Sequence, residues 1–131
     1  MRKLAFALVI PALAAAVPVC AGPIEGVHVA VNRHLYRGTG CPVEIVFTAS
    51  ININDHHGPG LSYQYHWERS DGAKGPVHVI HSGPEGRTMV FHEKWILGKR
   101  GSIYDVSNTI HVGTGNERVS ETSPTVHIEC L

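Results

Sequence analysis

Past residue 21 this chain of 131 residues lacks an apolar run long enough to cross a bilayer. It also lacks helical periodicity sustained over ~11 residues, so a helical bundle is excluded and a β architecture is favoured. No basic cluster stands out: 11 Lys and Arg balance 11 Asp and Glu. That is not the footprint of a nucleic-acid binder, which needs basic side chains gathered on one surface. Lys99-Arg100, between Gly98 and Gly101, reads as a charged turn. Catalytic signatures are missing as well. There is no His-Glu-x-x-His, no Gly-x-Ser-x-Gly, no Walker-type loop and no Gly-x-Gly-x-x-Gly opening a helix. His92-Glu93-Lys94-Trp95-Ile96 fails the zinc-protease pattern at its last position. Glu68 and Asp71 read as a strand-end charge and a turn former, and a Ser-His-Asp set is recognised by geometry, which a sequence does not supply. The expectation is a non-enzymatic domain.

What is present begins with an export signal. Arg2 and Lys3 precede an uncharged run of 16 residues from Leu4 to Val19, and Val19-Cys20-Ala21 offers small or modest residues where a signal peptidase reads. Cleavage after Ala21 is expected, giving a signal peptide over 1–21 and a single domain over 22–131. Lipidation of Cys20 is the less favoured alternative, because Val19 fits poorly before a lipidated cysteine. Loss of Arg2 and Lys3 leaves nine basic side chains against eleven acidic ones.

The mature chain alternates apolar and polar residues between turn signals. Val27, Val29 and Val31 predict a first strand, and Val43, Ile45, Phe47, Ala49, Ile51 and Ile53 a long second one. Tyr63, Tyr65 and Trp67 on every second residue, running into Ser70-Asp71-Gly72, predict an aromatic strand with one buried face. Further strands are expected over 77–81, 88–97, 103–112 and 125–130. Seven short strands predict an all-β, two-sheet antiparallel sandwich with Tyr65, Trp67 and Trp95 in its core. One conflict is visible: if Phe91, Trp95 and Leu97 face inward, alternation sends Glu93 inward too. A bulge, or a strand end open to water, would remove it.

Cys41-Pro42-Val43 leading into Ile45, Phe47 and Thr48, then Tyr65-x-Trp67-Glu68-Arg69-Ser70-Asp71-Gly72, Gly75-Pro76, Trp95-x-Leu97-Gly98 and a cysteine near the C-terminus together resemble immunoglobulin-like domains of secreted bacterial proteins. The resemblance spans roughly residues 41 to 130 and implies an immunoglobulin-like sandwich in an extracytoplasmic setting, with no chemistry assigned. It departs from antibody-type domains, where the Trp shortly follows the first cysteine of a mid-sheet disulfide. Here Trp67 comes 26 residues after Cys41, so a bridge should sit at one end of the sandwich. With Cys20 removed, Cys41 and Cys130 remain, each in the core-facing phase of its strand, and an exported domain favours their pairing over metal ligation or a nucleophilic thiol.

Two sets of residues are candidates for binding. Asn54, Asp55, His56 and His57 fall in a turn-rich loop at one end of the sandwich, where such domains carry binding loops. Ten histidines in 131 residues form the other set. His66, His78, His111 and His127 have apolar neighbours on strands and are expected to face outward on four strands of one sheet, where two or three imidazoles can share zinc or copper if the register aligns them. The leading expectation is an exported interaction domain for an unnamed protein or envelope component, without a cofactor. The alternative is a metal- or pH-responsive periplasmic accessory protein.

Overall fold

A computed structural model of the chain describes residues 23–53, 61–81 and 88–131. These residues form ten strands and no helix: β1 (Ile24–Val31), β2 (Leu35–Gly38), β3 (Val43–Ile53), β4 (Ser62–Arg69), β5 (His78–His81), β6 (Thr88–Leu97), β7 (Ile103–Val106), β8 (Asn108–Thr114), β9 (Glu117–Thr122) and β10 (Val126–Cys130). No helix among them is long and apolar enough to cross a membrane.

One sheet has the order β1-β3-β6. Its β3 buries Val43, Ile45, Phe47, Ala49, Ile51 and Ile53, every second residue, as period-2 alternation requires of a strand with one face in a core. The opposing layer is built from β5-β4-β8-β9 and β2-β10-β7. Only Ser107 separates β7 from β8, and residues 123–125 separate β9 from β10, so one long hairpin runs through both parts. The break is stitched by Asn108 N–H donating to Ser123 Oγ (3.0 Å) and Ser123 N–H to Asn108 O (2.9 Å). Side chains from both layers, including Tyr63, Trp67, Ile110, Val112, Val126 and Ile128, join β3 in one hydrophobic core. All pairings are antiparallel except β2 with β10, which is parallel.

The strand count exceeds the seven expected for two reasons. The hairpin strands are broken in the middle, and two strands escape notice in the sequence. β9 carries a single apolar residue, Val119, and β2 is four residues long with Leu35 exposed, so neither shows a half-buried pattern.

Glu93 does face inward with Phe91 and Trp95, but neither a bulge nor a strand end explains it. The β3–β6 register is unbroken from Val43↔Leu97 to Asn52↔Thr88. Relief comes from position: β6 is the outer strand of its sheet, and Glu93 is only half-buried. Its charge acts on the core nonetheless, since Tyr65 has its pKa raised first by burial and then by the Glu93 carboxylate.

Cys41 and Cys130 form a disulfide, with Cα atoms 5.9 Å apart, at the end of the sandwich where β6 gives way to Gly98. Gly98 has φ +118°, and a Cβ there would lie 2.8 Å from Cys130 Sγ and 3.2 Å from Cys41 Sγ. Backbone conformation and contact with sulfur both demand glycine at this position.

Candidate functional site

β4 has two faces of opposite character. Tyr63, Tyr65 and Trp67 enter the core, so Gln64, His66 and Glu68 must stand on the outer face. Register then builds a surface from three strands. His66 lies opposite His111 of β8, which lies opposite Ser120 of β9; Gln64, Gly113 and Arg118 form the row on one side, and Glu68, Thr109 and Thr122 the row on the other. Lys74, bridged to Glu68 through the backbone, and Val77 close one wall. The result is a groove of about 470 Å³. Gly113 forms its floor beneath Arg118, since a Cβ there would lie 2.9 Å from the guanidinium Nη1.

At the centre of the groove the rings of His66 and His111 stack, centroids 4.8 Å apart and planes 24° from parallel. His111 is fixed on both sides: Nδ1 is 2.6 Å from Ser120 Oγ, and Nε2 is 2.9 Å from Glu68 Oε1. Among the described residues neither nitrogen of His66 makes a hydrogen bond. Burial, the adjacent His111 and Lys74 lower the His66 pKa below the ordinary histidine value, against a smaller opposing pull from Glu68.

The four histidines singled out by sequence do not form one row. β5, β4 and β8 are neighbours in the expected order, but β10 with His127 pairs with β2 and β7 instead of β8. His78 pairs with Tyr65 and stacks on its ring (4.9 Å), while Tyr65 stacks in turn on Phe91 (4.3 Å). His78 therefore belongs to the inward side of β5, at its exposed edge, because register rather than flanking residues sets its face. His127 is displaced along the sheet by the break between β9 and β10. It lies opposite Asp105 of β7, with Nδ1 2.7 Å from Asp105 Oδ1 and Nε2 3.1 Å from Glu129 Oε1, while Glu129 also pairs with Arg37 (2.9 Å). Among the described residues no three His, Cys, Asp or Glu side chains converge in a metal-holding group. Asn54, Asp55, His56 and His57 lie outside the described residues. Ser120, Arg118, Lys74 and Gly113 had no signal in the sequence as groove residues; their place follows from strand pairing alone.

The two histidine environments predict opposite titration behaviour. Hydrogen bonds to Asp105 and then Glu129 raise the His127 pKa, whereas burial lowers that of His66. His127 therefore contributes stability below the unfolded-state value of about 6.5 that is lost as pH rises through its folded value. For His66 the contribution is present above about 6.5 and is lost as pH falls through its folded value. A two-dimensional NMR titration of the imidazoles should find His127 protonating at higher pH than His66; the reverse order would contradict the geometry of both sites.

Tyr65, Trp67 and Trp95 are buried. The Arg69 guanidinium covers the Trp95 ring at 4.7 Å from its centroid, so that aromatic face is occupied from within the chain.

No family model and no curated protein sequence matches the chain. Among solved structures it is similar to the CARDB domain of a Pyrococcus furiosus protein, determined in complex with di-metal ions. The likeness has a TM-score of 0.50 at 12% identity and covers 81% of this chain and 88% of that one. At that identity the likeness concerns the fold alone, and with the layers described above it establishes an immunoglobulin-like β-sandwich.

Proposed function

We propose that this chain is an exported, non-enzymatic immunoglobulin-like interaction domain that holds a protein or envelope component in the groove across β4, β8 and β9. On this reading residues 1–21 are a signal peptide, removed after Ala21, and the domain of 22–131 acts in the periplasm or outside the cell without nucleic acid as a partner. The groove is the observation that carries the proposal. It is a concave surface of mixed character on the outer side of a sheet, and beside Val77 and Val112 it presents Lys74 and Arg118 as cations, Glu68 as an anion and two imidazoles within one groove of about 470 Å³. Mixed donors, acceptors and charges of both signs suit a polar partner surface, where directed hydrogen bonds provide specificity. The disulfide supports the compartment, because such bonds persist where the environment is oxidising.

Photo-crosslinking in the native host tests this. A benzophenone side chain in place of Val77, on the groove wall and 60% exposed, should give a discrete heavier adduct, whereas one in place of Val90, 51% exposed on the β1-β3-β6 sheet, should not. Equal labelling at both positions, or none at either, would refute the groove as the contact surface.

A further inference from the structure

We propose that His66 and His111 together bind one divalent transition-metal ion in the groove, Cu²⁺ ahead of Zn²⁺, with water completing the coordination. The two residues are direct cross-strand partners, so their Cβ atoms stand ~4.5–5.5 Å apart. Their rings are already 4.8 Å apart between centroids. A metal bound to imidazole nitrogen at ~2.0–2.1 Å lies within reach of both once the His66 ring turns about its terminal torsion. Nothing among the described residues opposes that turn by hydrogen-bonding to the ring.

His111 carries the support that a ligating histidine needs. A metal-bound imidazole ordinarily donates its second N–H to an oxygen that fixes its orientation, and Ser120 Oγ stands 2.6 Å from His111 Nδ1. In the neutral ring without metal, Nε2–H donates to Glu68 and the Ser120 hydroxyl donates to Nδ1. With metal on Nε2, the proton resides on Nδ1 and the same hydroxyl accepts it, a reversal that a hydroxyl performs by rotation. The proton count of the ring is unchanged. Glu68 Oε1, 2.9 Å from Nε2, supplies negative charge beside the dication. Because no three metal-holding side chains converge among the described residues, the site is a two-imidazole one with open positions, and such nitrogen donors favour Cu²⁺ over Zn²⁺. His127 is a poorer candidate, since its cross-strand partners are Leu35 and Asp105 and neither is a second imidazole.

The metal site shares the groove with the proposed partner but does not depend on it, and crosslinking from Val77 reads the partner separately. The test is Cu²⁺ added below one equivalent to tag-free protein and followed by NMR, with calorimetric titration alongside. Paramagnetic broadening should first remove the signals of His66, His111 and Ser120. Affinity should fall at least tenfold in a His66→Gln, His111→Gln double variant and stay unchanged in His127→Gln. Broadening centred on His127 or on His56 and His57, or equal affinity in the double variant, would overturn the proposal. Circular dichroism of the double variant separates loss of ligands from loss of fold.

Discussion

Replacing Cys41 and Cys130 together by alanine should lower the unfolding free energy by about 4 to 5 kcal/mol, the entropy that a closed loop of this length removes from the unfolded chain. The two cysteines are separated by 89 residues, near the long end of the range in which loop length sets the benefit. Whole-domain stabilities lie at only ~5–15 kcal/mol, so the variant should be close to its unfolding threshold. Urea denaturation of the oxidised wild type against the double variant measures the difference through the shift in midpoint at constant slope. A difference under ~1 kcal/mol would mean that the unfolded chain is already constrained in some other way, or that the bridge strains the native end of the sandwich.

Trp67→Ala is expected to cost about 3 to 5 kcal/mol, through lost burial and an unfilled cavity. Trp67 is 3% exposed on a strand paired on both sides, lies opposite Ile110, and accepts a hydrogen bond at its carbonyl from Gly75 N–H (2.8 Å). Neighbouring strands and a backbone bond hold the surrounding wall in place, which limits collapse into the space left behind. Trp95 remains to report the transition by fluorescence. A denaturation midpoint matching wild type would show that the ring contributes nothing to the core.

Much of this fold is legible in the sequence because a buried face leaves a period of two. β3 and β4 can be read residue by residue, and the common phase of Cys41 with Val43 and Ile45, and of Cys130 with Val126 and Ile128, anticipates the disulfide. The groove is far less legible. Pairing of His66 with His111, and of His111 with Ser120, is a matter of register, which backbone hydrogen bonds and turns set across separations of 45 and 9 residues and which no local pattern records. His78 makes the same point in reverse: its apolar neighbours suggest an outward side chain, yet pairing with Tyr65 places it on the inward side. β9 is hidden because an outer strand with one apolar residue shows no alternation.

The bond between Cys41 and Cys130 also decides how the domain carries tension. A pull applied at Leu131 passes within one residue to Cys130 and then covalently to Cys41, so the strands from β3 to β10 lie on a closed ring that bears no load along its length. Only the segment ahead of Cys41, holding β1 and β2, can peel away. The enclosed chain, with roughly 300 Å of extended length, is withheld from stretching while the bridge is intact. An oxidised domain thus acts as a short, stiff link, and a reduced one as a long tether.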